Sequence, residues 1–410
     1  MLLTLALSSL LAAATAVPFT PDTQHDAIAA PYIPDTQYDA IIVGGGPAGL
    51  SALSGLARVR RNVLLIDSGE YRNGPTRYIH DVLGFNGVQP AYYRWNVRNQ
   101  LSDSDYHTVK MMNGTVTDIK SDALPHETTK FTVSVTYPDG FTRNMTTRKV
   151  VLATGLKDII PTTPGIAENW GKGIYFCPWC DGIEHADQNL CLLSPLNDIL
   201  GMLLKVQTLH TDIVALVNGT DNYNTRHLAG EELPQWQEYL KHENVTVDNR
   251  IITEVKRLEE GATYNKDPSD PSVPLHDLFR VKFAQGDYVD CAAVWASFPY
   301  EQRSDVGAKA GVKIVKGRMV VNAANGYLTG VPGIYAVGDA NSDNADNVPH
   351  ALFTSKRAVI HLHSKLAKEQ RAFTAGNLPS KRDTARVDCD LWDIMNGEPG
   401  DLLYAGPCPL

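Results

Sequence analysis

Asp39-Ala40-Ile41-Ile42-Val43-Gly44-Gly45-Gly46-Pro47-Ala48-Gly49 decides the fold. It opens as a short apolar strand of the kind buried in a parallel sheet. A G-x-G-x-x-G turn follows, then a helical stretch from Leu50 to Arg58 and a second apolar strand from Asn62 to Ile66 that ends in Asp67. The order is strand, glycine turn, helix, strand, acid. Gly44 permits the tight turn, Gly46 lets backbone approach a pyrophosphate, and Gly49 allows the helix to pack closely on the strand. Pro47 and Ala48 stand between Gly46 and Gly49, in the turn that meets the positive end of the helix. Asp67, eighteen residues past Gly49, is placed to accept from a ribose hydroxyl. The pattern predicts a dinucleotide site.

Outward from this unit, the chain has 410 residues, enough for two domains. Apolar residues make up 43% and charged residues 20%, which excludes disordered and fibrous classes. Net charge is −9 with no Lys/Arg block longer than two residues, so nucleic acid is not an expected partner. Leu2 to Ala13 is apolar but too short to span a bilayer. With Ala14-Thr15-Ala16 it reads as a signal peptide over 1–16. Residues 17–36 hold a Pro-rich duplicated stretch and read as a linker or propeptide. Sequons at Asn113, Asn144, Asn218 and Asn244 agree with a secreted, extracellular and glycosylated protein.

Three further segments carry chemistry. Lys149 to Gly155 is a buried strand ending at Thr154-Gly155, and Gly333 to Ala340 is another, ending in Gly338-Asp339-Ala340. Asp339 is placed either for a ribityl or ribose hydroxyl or as a helix N-cap. Between them lies Cys177-Pro178-Trp179-Cys180-Asp181-Gly182. Cysteines three apart close a small, exchangeable ring, and a helix N-terminus lowers a thiolate's pKa. Zinc would need a second Cys or His pair at ligand spacing, so no metal is expected. Asp181 suits either proton transfer beside the pair or capping of the helix.

In this order, the glycine turn, the Ala-Thr-Gly turn, the Cys-x-x-Cys and the Gly-Asp-Ala turn resemble the low-molecular-weight thioredoxin reductases across residues 38 to 365. The resemblance implies a two-domain α/β fold. A Rossmann-like FAD domain, a three-layer ββα sandwich, would span 37–156 and 300–383. A smaller Rossmann-like domain carrying the disulfide would be inserted at 157–299, with a tail at 384–410. FAD is the implied cofactor and a homodimer the implied assembly. Its site residues would be Gly44, Gly46, Pro47, Ala48, Gly49, Asp67, Thr154, Gly155, Asp339, Ala340, His350 and Ala351. Cys180 would be the thiolate against the flavin, Cys177 the interchange thiol, and Asp181 the proton carrier. His350, at the start of the last apolar helix, would face the flavin edge or, on the other reading, solvent.

A reductase of this kind needs a second nucleotide site after the strand Asn189-Leu190-Cys191-Leu192-Leu193. There the turn reads Ser194-Pro195-Leu196 without glycine, and Asn218 to Asn222 holds no cation. Leu196 is expected to crowd a pyrophosphate. This predicts a secreted FAD-dependent sulfhydryl oxidase that converts glutathione-like small thiols to disulfides and O2 to H2O2. Such a protein resembles the secreted fungal sulfhydryl oxidases. The alternatives are a dithiol oxidase closing a disulfide in a secondary metabolite, and an NADPH-dependent thioredoxin-type disulfide reductase. Cys389 and Cys408 bracket the tail and are expected to form a structural disulfide or a shuttle. Cys191 and Cys291 read as buried thiols, or as a bridge if their strands are neighbours.

Overall fold

The computed structural model describes residues 35–377 apart from 103, 123–127 and 265–273. The leader, most of the linker and Cys389 and Cys408 lie outside the described residues.

The expected strand–turn–helix–strand start is Tyr38–Val43, Pro47–Ala57 and Val63–Asp67. The two strands pair in parallel, Ala40 against Val63 through Val43 against Ile66, and every residue of the second is buried. They sit inside a nine-stranded sheet with path order Val321–Asn322, Leu328–Thr329, Ile334–Ala336, Thr142–Leu152, Tyr38–Val43, Val63–Asp67, Val109–Asn113. Thr115–Asp122 and Lys130–Thr136 add an antiparallel layer onto the first half of Thr142–Leu152. On one face, Leu50, Leu53 and Leu56 of the first helix pack with Ile42, Leu65 and Val151. Val359, Leu362 and Leu366 of the 29-residue helix Val348–Gly376 complete that layer. Full burial of each leucine stabilises the layer by about 1.5–3 kcal/mol.

A second sheet of five strands is parallel throughout, in the order Val245–Asp248, Ile213–Leu216, Leu190–Leu193, Ala293–Ala296, Ile174–Tyr175. Its core is a separate cluster built on Leu192, Ile199, Leu203 and Ala215. Two crossings of the chain between the sheets, Leu156–Asp158 and Tyr300–Gln302, pair as an antiparallel ribbon. A three-stranded antiparallel sheet, Ile252–Glu259, Leu278–Phe283 and Val289–Cys291, packs beside the five strands. Among the described residues, no helix is long and apolar enough to cross a membrane.

Cys191 and Cys291 are joined, with Cα atoms 5.8 Å apart, so the bridge and not a pair of free thiols is what the structure holds. The bond ties the central parallel strand to the last strand of the antiparallel sheet across 100 residues of chain. A crosslink closing so long a loop stabilises chiefly by restricting the unfolded chain. Replacing both cysteines with alanine is expected to lower stability by about 2–5 kcal/mol. A thermal midpoint equal to that of the unmodified protein would show that the bond contributes nothing.

Candidate active site

The glycine turn forms one wall of a cavity of about 350 Å³. Gly44 has φ +110°, and a Cβ there would lie 2.4 Å from the Ala153 carbonyl oxygen. A Cβ on Gly49 would lie 1.8 Å from the Gly44 carbonyl oxygen, whereas one on Gly46 would meet nothing nearer than a Tyr71 ring carbon at 3.9 Å. The first and last glycines are therefore demanded by the chain itself. Gly46 leaves open space above the helix start, where unpaired amides favour an anion. Gly44, Gly46, Pro47 and Ala48 all line the cavity, with Thr154 and Gly155 from the next strand end and Asp339 and Ala351 from the C-terminal part. Gly49 lies beneath, against the strand.

The second of the two cysteines closes another part of the wall. Cys177 and Cys180 form a disulfide, Cα atoms 5.2 Å apart, at the start of the helix Pro178–Asp181. The Cys177 carbonyl accepts from the Cys180 and Asp181 amides at 3.0 and 3.2 Å, so the turn holds the second cysteine inward. Cys180 and Asp181 line the cavity. Cys177 does not, while Trp179 beside it is 63% exposed. Burial pushes the Asp181 carboxyl up to about 7, with Glu184 adding to the rise and His185 and Arg77 opposing it.

A family profile described as pyridine nucleotide-disulphide oxidoreductase matches residues 38–199. A protein of Arthroderma benhamiae named "Probable thioredoxin reductase" is 41% identical, over 97% of this chain and 95% of its own length. The chain belongs to the thioredoxin-reductase-like pyridine nucleotide-disulphide oxidoreductases. Thioredoxin reductase tcpT of Claviceps purpurea is 29% identical over 80% of this chain and 93% of its own. Among solved structures, that titled "Crystal structure of HlmI" superposes with a TM-score of 0.67 at 26% identity, covering 86% of this chain and 97% of the other. These findings overturn the expected small-thiol oxidase activity: the Arthroderma and Claviceps relatives both carry the name thioredoxin reductase, and neither the name sulfhydryl oxidase.

Thioredoxin-reductase-like proteins are FAD flavoproteins, and the cavity fits FAD. The Thr154 hydroxyl is buried, lines the cavity and has no partner among the described residues. The open helix start at Gly46 suits the pyrophosphate.

Several expected cofactor residues lie elsewhere. Asp67 is 3% exposed and is not among the residues that line the cavity. Its carboxylate accepts from the Gly45 and Gly69 amides at 3.2 and 3.0 Å and from the Tyr71 hydroxyl at 2.5 Å, and it pairs with Arg98. A carboxylate so enclosed serves the turn's own structure; Ser68 and Glu70 are the polar residues that reach the cavity there. Ala340 is fully buried and does not line the cavity. His350 also turns aside: its Nε2 lies 2.7 Å from Asp343, while its amide is capped by Asn347. Asn347, Val348 and Ala351 occupy the cavity wall at that helix start.

Arg72 and His80 were not visible in any motif. Arg72 lines the cavity, pairs with Asp158, Asp339 and Asp346 at 2.6, 2.9 and 3.0 Å, and lies over the Phe176 ring. Its pKa is raised by these carboxylates against the effect of burial. No local spacing marks a residue whose partners stand 86 and 267 positions away.

The second turn differs from its expected form. Leu196 is 1% exposed and packs into the core of the five-stranded sheet, so its side chain does not crowd the turn. What closes the turn is hydrogen bonding: the Leu196 amide donates to the Thr220 hydroxyl at 3.1 Å, and that hydroxyl donates to the Val217 carbonyl at 2.6 Å. The nearby cation Arg226 is held by Asp221.

Proposed function

We propose that this protein is an FAD-dependent disulfide reductase of the thioredoxin type, in which the Cys177–Cys180 pair, once reduced, reduces a disulfide partner by exchange. The observation that supports this best is the placement of Cys180 and Asp181 in the wall of the flavin cavity while Cys177 lies outside it. When bound, FAD supplies the two-electron carrier that recharges the pair. The Cys177 thiolate attacks the partner disulfide, and the partner's leaving sulfur takes a proton. Cys180 then attacks Cys177, which restores the internal disulfide and frees the partner as a dithiol. Two electrons leave the pair and enter the partner.

Asp181 is proposed as the proton donor to the leaving sulfur. With its carboxyl near 7, the acid form present below that pH does this work and is lost above it. Partner reduction is therefore expected to fall on the alkaline side of about pH 7, and Asp181→Asn to remove that limb and slow turnover by about 10²-fold. An Asn variant with an unchanged profile would exclude Asp181 as the donor.

A second reading is favoured by the closed turn at Leu196 and Thr220, which leaves no free amide at that position for a pyridine nucleotide's phosphates. On it, a dithiol gives two electrons to the Cys177–Cys180 disulfide, its own sulfurs closing to a disulfide in a secondary metabolite, and the reduced pair would pass them to FAD. Anaerobic titration separates the two. Saturable bleaching of the flavin by NADPH supports the reductase; bleaching by dithiothreitol but not NADPH supports the dithiol oxidase. A flavin untouched by either rejects both.

A further inference from the structure

Cys180 and Asp181 are the last two residues of a four-residue helix, and each presents its carbonyl to a histidine. His80 Nδ1 lies 2.7 Å from the Cys180 carbonyl oxygen, and His185 Nδ1 lies 3.0 Å from that of Asp181. A carbonyl only accepts, so each Nδ1 carries the hydrogen. Each ring is backed by a buried carboxylate at its other nitrogen: Glu184 at 3.3 Å from His80 Nε2, and Asp277 at 3.1 Å from His185 Nε2. The two pairs are not equivalent. Asp277 is held by Arg77, Arg257 and the Gly261 amide, so the His185 pair belongs to a large structural cluster. Glu184 is 3% exposed, and neither of its side-chain oxygens has a formed hydrogen bond among the described residues. Its ion-pair partner is His80. A buried carboxylate is costly without a partner, so the contact with His80 is what offsets its burial, and each group fixes the position of the other. His80 also lines the flavin cavity and is itself 7% exposed.

We propose that His80, oriented by Glu184, is a positioning residue for the redox pair: its Nδ1–H holds the Cys180 backbone against the cavity wall when the disulfide opens. The proposal rests on the reading of Cys177–Cys180 as the working pair. Opening by an external dithiol moves two electrons to the protein sulfurs. The dithiol's two sulfurs become a disulfide, and its two protons pass to Cys177 and Cys180 or to water. The freed Cys180 sulfur then has only its backbone tether to keep it at the cavity. The clamp reaches it from 100 residues earlier in the chain.

The test uses the FAD-loaded protein, reduced with dithiothreitol, desalted without air and treated with iodoacetamide, with alkylation of Cys180 and Cys177 followed by mass spectrometry. The asparagine amide nitrogen can take the place of Nδ1, whereas the glutamine amide reaches the position of Nε2. His80→Gln is expected to raise the Cys180:Cys177 alkylation ratio about fivefold, and His80→Asn to stay within about twofold of the unsubstituted protein. Should the glutamine variant not fold, Glu184→Gln takes its place, with a rise of about threefold expected. An unchanged ratio in His80→Gln or Glu184→Gln overturns the proposal. So does an equal rise in both His80 variants, which would mark a packing role alone. A protein inert to every disulfide partner would sink the reductase reading yet leave these ratios measurable.

Discussion

Cys180→Ser is expected to yield a yellow protein that no longer exchanges with disulfides or dithiols. The serine hydroxyl is close in size and keeps the helix turn in which the residue-180 amide donates to the Cys177 carbonyl, so FAD retention should match the unsubstituted protein. A hydroxyl at neutral pH is neither ionised nor able to form the internal disulfide, so partner reduction should fall by at least about 10³-fold. Stopped-flow reduction of the flavin under anaerobic conditions and turnover with a disulfide substrate read the two halves separately. Turnover above a tenth of the original rate would remove Cys180 from the pathway. The matching Cys177→Ser change should show the same loss, while leaving Cys180 free beside the flavin, so the two variants are expected to differ in visible spectrum.

Gly49→Val should empty the cofactor site by a different route. Its Cβ would fall 1.8 Å from the Gly44 carbonyl oxygen, a clash with backbone and not with a movable side chain. The first helix must then separate from the first strand. Overpacking of this kind costs about 1–3 kcal/mol or more, and the turn that cradles the pyrophosphate is displaced with it. Flavin content of the purified protein should drop below about a tenth of the original, with a lowered thermal midpoint. Gly46→Ala supplies the contrast, since its Cβ meets no chain atom nearer than 3.9 Å. That variant should fold normally and bind FAD more weakly, because the methyl group enters space the ligand needs. Full flavin content in Gly49→Val would show that the helix accommodates the clash.

The parts legible in the sequence were those fixed by short-range geometry. Gly44 and Gly49 are required by atoms within a few residues or on the adjacent strand, so their spacing alone marked the turn. Cys177 and Cys180 lie on one turn of helix, and their bonding needed no tertiary information. Leu196 was placed wrongly because its turn lacks glycine but its side chain belongs to a hydrophobic core assembled from Ile199, Leu203 and Ala215. The position of Asp67 after the strand points to a ribose hydroxyl, yet Tyr71 and Arg98 enclose its carboxylate. The first partner is near in sequence, but only folding brings the helix carrying Arg98 over it. His80 had no motif at all. Its meaning comes from a carbonyl and a carboxylate that the chain reaches only after 100 and 104 residues.

The bond between Cys191 and Cys291 has a consequence for how the protein tolerates its own chemistry. Both sulfurs sit in residues no more than 1% exposed, at the seam of two sheets, while the working pair borders open space. A thiol reagent is therefore expected to reach the Cys177–Cys180 crosslink and to be walled off from Cys191–Cys291. Among the described residues, inaccessibility thus separates a crosslink that can open from a rivet that stays shut, so reduction of Cys177–Cys180 is expected to leave the frame intact.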